Sequence, residues 1–344
     1  MDLRSDGQGQ REETVIEGLD GTSVLVTGGC GFIGVNLVTQ LLAGGAAVTV
    51  LDLAGANWRN LPTGVTQIRA DILDPRTLAG ALDSIEIVYH LAARTDIDGE
   101  SLEDYLVNFR GTQNVIEECA AGAGPRRFVF FSTQLVVGLF NETRFIDETE
   151  PYRTKTAYGQ SKIEGEKVVI SACTAAKIPY TIIRPTSVYG PWGEAPYKQF
   201  FRVVKRRRYF HVGRADNLVS WAYVKNLVDL TVLASLREEA QGQTYFGSDF
   251  HPYTMREITD AVGAYYGISV PTIPSVVMTV IAYACLLPKR LGVNVPIYPF
   301  RLQNIRANYC YDIQKSIRLG FMPRYDLDSG VRETLDWYEQ HQLI

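Results

Sequence analysis

The chain has 344 residues, of which 46% are apolar and 21% charged, a composition that excludes a disordered or fibrous protein. Its net charge of −4 gives no general electrostatic reason to bind nucleic acid or an anionic membrane. Five scattered cysteines form no CxxC pair and no metal-ligand spacing. We therefore expect reduced thiols, no metal site and a cytoplasmic protein.

Short β-branched and aromatic runs alternate with helical stretches from Thr22 onward, after a polar segment, 1–20, that predicts a flexible tail. The continuously apolar runs predict a parallel sheet covered by helices on both faces, that is, an α/β fold of the doubly wound Rossmann type. The predicted strands are 24–26, 47–51, 66–69, 85–90, 127–131 and 180–183.

The alternation weakens after Arg184-Pro185, where proline, glycine and aromatic residues become frequent. We expect a dinucleotide-binding domain at 21–184 plus about 216–248. A smaller, mostly C-terminal substrate-binding domain is expected at about 185–215 and 249–344. Its last helix, about 328–341, places Val331, Leu335 and Tyr338 on one face.

The apolar segment 276–287 is shorter than the roughly 20 residues that a membrane span requires, so no integral span is expected. The favoured interpretation is a buried or cleft-covering helix. An interfacial membrane helix is the alternative that the sequence leaves open.

A glycine-rich loop follows the first strand and opens the first helix. It contains GxGxxG at Gly29, Gly31 and Gly34, where glycine allows a tight turn and close approach of a pyrophosphate to the helix N-terminus. Asp52, at the end of the second strand, lies where a carboxylate holds the ribose hydroxyls and repels a 2′-phosphate. The pattern predicts NAD rather than NADP. Asp71 either lies beside the adenine or caps the next helix.

Tyr158 and Lys162 are four residues apart and therefore share one helix face. A tyrosine titrates near 10, so it acts as a base at neutral pH only when a lysine and a cationic nicotinamide stabilise the phenolate. Ser132 and Thr133 end the fifth strand, where ligands of such sheets bind. A hydroxyl there either contacts a substrate oxygen or caps the loop backbone.

From Ser23 to about Gln340 the chain resembles extended short-chain dehydrogenases/reductases of the NAD-dependent epimerase/dehydratase group. The motifs that carry the resemblance are the glycine loop, Asp52, Asp71-Ile72, His90-Leu91-Ala92-Ala93, Asn108, Tyr158 with Lys162, 184–191 and 220–224.

The resemblance implies that Tyr158 is the general base, that Lys162 binds the nicotinamide ribose and lowers the tyrosine pKa, and that Thr133 orients the substrate hydroxyl. Ser132 is the fallback for Thr133. The resemblance also implies a homodimer, paired through about 101–121 and the helix that bears Tyr158. The implied NAD contacts are Gly28, Gly31, Phe32, Ile33, Gly34, Asp52, Asp71, Ile72, Leu91, Ala92, Ala93, Tyr158, Lys162 and Pro185.

At two positions the sequence differs from the group, and these differences bear on the type of reaction and on the residues that bind the substrate. Leu135 stands where related dehydratases carry a glutamate, which disfavours dehydration and decarboxylation by the usual route. Val219 stands where sugar epimerases carry a diphosphate-binding arginine. The substrate-binding candidates are therefore Ser132, Gln134, Arg214, Arg301, Arg306 and Tyr309.

The leading hypothesis is an NAD-dependent epimerase of a nucleotide-sugar, UDP- or dTDP-linked, that works by transient oxidation. The alternative is an NAD-dependent dehydrogenase or reductase of a sugar nucleotide or a steroid-like alcohol. The third is a non-catalytic NAD-sensing protein.

Overall fold

The computed structural model describes residues 18–138, 144–193, 196–286, 298–299, 302 and 306–344. Its strands are β1 (Ser23–Thr27), β2 (Ala47–Asp52), β3 (Thr66–Arg69), β4 (Ile87–His90), β5 (Arg127–Phe131), β6 (Tyr180–Pro185), β7 (Ser187–Tyr189), β8 (His211–Val212), β9 (Leu218–Val219), β10 (Trp221–Tyr223), β11 (Gln243–Gly247), β12 (Tyr253–Thr254) and β13 (Thr272–Ile273).

Seven parallel strands form the central sheet in the order β11-β6-β5-β4-β1-β2-β3. The predicted Rossmann-type α/β fold is confirmed, and all six predicted strands belong to this sheet. The fourth begins at Ile87, two residues later than predicted. The seventh strand, β11, has no counterpart in the sequence prediction.

Helices cover both faces of the sheet. The described helices of the chain are α1 (Phe32–Ala43), α2 (Arg110–Ala121), α3 (Ala157–Ala176), α4 (Tyr197–Lys205), α5 (Val224–Leu236), α6 (Met255–Tyr266), α7 (Ser275–Ala284), α8 (Gln314–Arg318) and α9 (Leu327–Gln340). Helices α1 and α5 share one apolar core with the sheet, and α2 and α3 share the other. The continuous apolar strands are explained by burial on both sides.

The remaining strands form three two-stranded sheets outside the central one: β7 with β10, β9 with β12, and β8 with β13. An aromatic core that includes Tyr189, Phe201 and Trp221 holds this region together. Helix α9 lies within one residue of its predicted bounds, and its predicted inner face is buried in that core.

An ion pair inside the protein ties α3 to β6. The Arg184 guanidinium donates to both oxygens of Glu166, at 2.9 and 2.7 Å, and the Tyr152 hydroxyl donates to the same carboxylate at 2.8 Å. The side chains of Arg184 and Glu166 are only 5% and 1% exposed. The pair therefore lies out of reach of solvent screening.

Helix α7 corrects the interpretation of the apolar segment as a buried helix. Val276 is 76% exposed and Val280 65%, while Met278 and Ala282 alone among its residues are buried. Residue 287 lies outside the described residues. Among the helices that the structure describes, none has both the length and the apolar character to cross a bilayer.

Candidate active site

A cavity of about 800 Å³ opens at the carboxyl edge of the central sheet. All fourteen residues predicted to contact NAD line it, and so do Ser132 and Thr133. The loops after β1, β2, β3, β4, β5 and β6, together with the first turns of α3, thus bring residues from across the chain to one site.

The glycines of the first loop meet two different requirements. Gly28 has φ +70°, and a Cβ there would lie 2.7 Å from the Ala92 amide nitrogen. A Cβ on Gly34 would lie 2.5 Å from the Gly28 carbonyl oxygen, so both positions need glycine for the backbone to pack. A Cβ on Gly31 would meet only that same oxygen, at 3.3 Å. Gly31 is the N-cap of α1 and faces the cavity, which leaves room for an approaching anion.

Asp52 is held in one orientation at the end of β2. Its Oδ2 accepts from the Cys30 amide at 3.0 Å and its Oδ1 from the Leu53 amide at 2.8 Å. The carboxylate lines the cavity, as a ribose contact requires. Asp71 also lines it, while its Oδ1 accepts from the Leu73 amide at 2.9 Å. Its position at the cavity is consistent with a contact to the adenine, whereas the next helix, the short 3-10 helix Pro75–Thr77, is capped by Asp74 and not by Asp71.

Tyr158 and Lys162 project from the start of α3 toward the end of β5. The helix begins there because the Thr156 hydroxyl accepts from the Gly159 amide. The Tyr158 hydroxyl is hydrogen-bonded to Thr133, and the Lys162 ammonium donates to the Phe131 carbonyl at 2.7 Å. Thr133 also accepts from the Leu135 amide, so its hydroxyl both caps the loop and contacts the phenol.

Burial controls the charge of both groups. It raises the pKa of Tyr158 to about 12, against the hydrogen bond with Thr133, which lowers it. Burial lowers the pKa of Lys162 to about 7, and the nearby Glu166 carboxylate opposes this shift. In the polypeptide by itself, desolvation of the phenolate outweighs the effects that lower the Tyr158 pKa; the lowering by Lys162 together with a nicotinamide stays a prediction.

Lys162→Met should raise the free energy of unfolding near neutral pH, because it removes a buried ammonium group. The lysine pKa is about 7 in the folded chain, against 10.5 for an unperturbed lysine side chain. The unfolded chain therefore binds the extra proton between these values, and the stability of the wild type rises with pH across that window. The variant's advantage is complete below about pH 7 and shrinks toward pH 10.5.

Denaturant unfolding of wild type and variant at about pH 6.5 and about pH 9.5 measures this difference. Lys167→Met, at an exposed lysine on the same helix, is the control that should show no such pH dependence. A difference for Lys162→Met that is the same at both pH values would contradict the prediction.

Two side chains at this site were missed by the sequence reasoning. Arg94 lines the cavity, donates from Nε and Nη2 to Asp96, and donates from Nη1 to the Asp104 carbonyl. The ring of Tyr105, fully buried, lies 5.9 Å from that of Tyr158. The available signal for Arg94 was its position directly after the motif His90-Leu91-Ala92-Ala93, at the same edge of the sheet.

The substrate-binding candidates do not come together at this cavity. Ser132 lines it, and its hydroxyl is buried without a partner among the described residues. Gln134 opens a short 3-10 helix, and its Oε1 is likewise buried without a described partner. Arg214 and Arg306 line a separate cavity of about 590 Å³, and Tyr309 packs against the aromatic core. Arg301 lies outside the described residues. The substrate roles of these residues remain predictions.

Comparison with known proteins shows to which family the chain belongs. The model of the 3-beta hydroxysteroid dehydrogenase/isomerase family matches residues 25–274. The chain belongs to this family. The predicted resemblance to the extended short-chain dehydrogenase/reductase superfamily is thereby confirmed, as is the prediction of an enzyme.

Two relatives and one solved structure illustrate the proteins to which this chain is similar. The "3 beta-hydroxysteroid dehydrogenase/Delta 5-->4-isomerase" of Mycobacterium tuberculosis is 30% identical, over 92% of this chain and 90% of that protein. The "3beta-hydroxysteroid-dehydrogenase/decarboxylase isoform 2" of Arabidopsis thaliana is 28% identical over 91% of this chain, which spans 61% of that protein's length. The structure of the Thermus thermophilus UDP-glucose 4-epimerase complex with NAD has a TM-score of 0.72 and 27% identity, covering 92% of this chain and 99% of that one.

Proposed function

We propose that the protein is an NAD-dependent dehydrogenase that interconverts a secondary alcohol and a ketone on a mainly apolar, hydroxysteroid-like substrate. The observation that carries the proposal is the single cavity that joins the glycine loop and Asp52 to Tyr158, Lys162 and Thr133. Membership of the hydroxysteroid dehydrogenase family supports the substrate class.

The residues of the cavity fit NAD. Gly31 leaves space at the α1 N-terminus for the pyrophosphate, and Asp52 presents a fixed carboxylate that favours ribose hydroxyls over a 2′-phosphate. NAD, when bound, accepts the hydride of the alcohol. A Thermus relative in fold is an NAD complex, which supports the same cofactor here.

The chain's own residues handle the proton. Tyr158 takes the proton of the substrate hydroxyl, and Thr133, already bonded to the phenol, orients that hydroxyl. Because burial opposes the phenolate, the base needs positive charge near it, which Lys162 and an oxidised nicotinamide supply. Lys162, held by the Phe131 carbonyl, is placed to bind the nicotinamide ribose.

The charges of the cavity support an apolar substrate over a diphosphate. Its described basic side chains are Lys162 and Arg94, and Arg94 is engaged by Asp96 and the Asp104 carbonyl. Val219 stands where sugar epimerases carry a diphosphate-binding arginine, and the candidate substitute Arg214 lines another cavity. A diphosphate would therefore enter with little charge compensation.

A nucleotide-sugar epimerase acting on a UDP- or dTDP-linked substrate is the second candidate. The fold similarity to a UDP-glucose 4-epimerase at 27% identity favours it. The same tyrosine, lysine and threonine would oxidise the sugar, and the hydride would return to the other face of the keto-sugar.

Two assays separate the candidates. We expect a 3β-hydroxysteroid to give net NADH with added NAD, and UDP- and dTDP-sugars to give neither NADH nor epimers. Stoichiometric NAD retained through purification, with sugar interconversion and no net NADH, would replace the dehydrogenase by the epimerase. Whichever activity is observed is assigned to this site only if Tyr158→Phe abolishes it.

Gly31→Ala and Gly34→Ala should separate cofactor binding from folding. Gly31→Ala should keep the wild-type free energy of unfolding and weaken NAD binding by about tenfold or more, because its methyl group occupies the anion approach. Gly34→Ala should lower stability by roughly 1–3 kcal/mol, because its methyl group meets loop backbone. Denaturant unfolding measures the stability of each variant, and NAD titration measures its cofactor affinity. Normal NAD affinity in folded Gly31→Ala would contradict the assigned pyrophosphate site.

A homodimer in the cytoplasm completes the proposal. Helices α2 and α3 pack together and leave Ile170 exposed on α3, while Leu106 is exposed just before α2. Such a surface suits the pairing of subunits that the resemblance implies. The five thiols form no disulfide, which supports a cytoplasmic location. A monomeric mass in light scattering at micromolar concentration would contradict the dimer.

A further inference from the structure

A second cavity, of about 570 Å³, lies between α1 and α9. Its other lining residues come from the first turn of α5 and from the segments 191–192 and 324–325. The described linings of this cavity and of the candidate active site share no residue. Cavities of about 300–1,000 Å³ are typical of small-molecule sites, so this one is large enough to hold a ligand of its own.

Two half-buried tryptophans form one wall of this cavity. The rings of Trp192 and Trp337 lie 5.0 Å apart and are tilted by 49° to each other. The ring of His341 stacks on Trp337 at 4.3 Å, so that indole is already covered on one side. Trp192 therefore offers the larger free aromatic surface to a flat ligand.

The backbone that carries Trp192 is held in an unusual conformation. Its φ of +69° lies in the left-handed region, which is rare for a bulky side chain. The neighbouring carbonyls are fixed, because the Asn36 side chain donates to Pro191 at 3.0 Å and the Tyr338 hydroxyl donates to Gly193 at 2.7 Å. Strain that the surroundings maintain in this way is frequent at ligand sites.

Two amide side chains one turn apart on α1 determine what a ligand must carry. The Asn36 amide nitrogen donates to the carbonyls of Phe32 and Pro191, at 2.9 and 3.0 Å, and the Gln40 nitrogen donates to Asp229 at 2.7 Å. Since all these partners are acceptors, the orientation of each amide is settled and its oxygen lies on the other side. Neither oxygen accepts a hydrogen bond within the described part of the chain, although Asn36 is only 9% exposed. Both oxygens are therefore available to N–H donors of a ligand.

The charged side chains of the cavity compensate one another. Lys225 is ion-paired with Glu333, and Arg324 donates to both oxygens of Asp229 at 2.7 Å. The carboxylate of Asp336, which is exposed, forms no ion pair in the described ranges. An anionic ligand would meet cations that are already engaged, whereas a ligand with N–H donors meets amide and carboxylate oxygens.

We propose that this cavity binds a planar bicyclic heteroaromatic base that carries N–H donors. The ring stacks on Trp192, and its N–H groups donate to the oxygens of Asn36 and Gln40. The site goes beyond the proposed dehydrogenase function. It uses no residue of the candidate active site, so it holds or fails independently of the reaction.

Calorimetric titration of the full chain with 2-aminobenzimidazole tests the proposal. Saturating NAD is present throughout, so that the probe is kept out of the cofactor cavity. The comparison compound is 1-methylbenzimidazole, which keeps the flat bicyclic ring but has no N–H donor. We expect 2-aminobenzimidazole to bind at one site per chain, and 1-methylbenzimidazole to bind at least about tenfold more weakly because the amide oxygens stay unpaired.

Three variants locate the site. Ala43 is exposed at the end of α1 and lines the cavity, so Ala43→Phe fills the cavity without entering the core and should abolish binding. Ala264→Phe, at an exposed alanine of α6 that lines neither cavity, is the matched control and should bind like the wild type. Trp192→Gly suits the left-handed backbone but lacks the ring, and should weaken binding roughly tenfold or more.

Thermal unfolding and NAD affinity, measured for each variant, show whether the fold is kept. Absence of 2-aminobenzimidazole binding by the wild type, or unchanged binding by a folded Ala43→Phe, would overturn the proposal. Binding that occurs only without NAD would assign the probe to the cofactor cavity and overturn it as well. Equal affinity for the two compounds would contradict the assigned hydrogen bonds and with them the class of ligand.

Discussion

Tyr158→Phe is expected to reduce turnover by about a thousandfold while the protein still folds and binds NAD. The Tyr158 hydroxyl is hydrogen-bonded to Thr133, and Tyr158 shares a helix face with Lys162. General-base removal of a proton contributes about 10²–10⁴ to rate, and phenylalanine keeps the ring but cannot take the proton. Steady-state NADH formation with a hydroxysteroid measures the effect.

Tyr180→Phe, on β6 away from the cavity, is the matched control and should retain full turnover. The pH profile gives a second readout. Because the base must be deprotonated and burial raises its pKa, the rate of alcohol oxidation in the wild type should rise with pH. Turnover of Tyr158→Phe within tenfold of the wild type would remove the assigned base.

Arg184→Met should lower the free energy of unfolding by about 3–5 kcal/mol, because it leaves the Glu166 carboxylate charged and unpaired inside the protein. The two side chains are among the least exposed charged groups described. Denaturant unfolding at neutral pH measures the loss. The exposed pair of Lys167 and Glu164 on the same helix is the control, and Lys167→Met should change stability by less than about 1 kcal/mol.

The double variant Arg184→Met/Glu166→Leu should recover much of this loss, since no unpaired charge remains. Glu166 also opposes the lowering of the Lys162 pKa. Glu166→Gln should therefore lower the Lys162 pKa further and shift the acidic side of the pH–activity profile. It should change the free energy of unfolding as well. Equal destabilisation by Arg184→Met and Lys167→Met would show that burial does not decide the strength of the pair.

The sequence was sufficient for the parts of the molecule whose chemistry is local. The glycine loop, Asp52 and the Tyr158–Lys162 spacing each depend on a few neighbouring residues, and the structure brings all of them to one cavity. The long buried strands were predicted for the same reason, because burial on both faces leaves a continuous apolar run.

The region after Arg184 was less predictable because distant contacts decide its structure. Strands of two residues, such as β8 and β13, carry no periodic signal. The apolar stretch of α7 has the composition of a core helix, and only the neighbours it packs against show that most of it faces outward. Arg214 was a reasonable anion-binding candidate by spacing, yet the backbone after β8 carries it to a different cavity.

Strand β11 returns to the central sheet after the chain has already built β7 to β10 outside it. The region outside the central sheet is therefore assembled from two stretches of chain, one before β11 and one after it. No single cleavage point divides the molecule into two self-sufficient halves. Truncation at any residue between β6 and β11 would remove an edge strand from the sheet that shapes the cavity. Fragments for crystallography or for domain exchange must keep both stretches together, and limited proteolysis should yield nicked but associated chains.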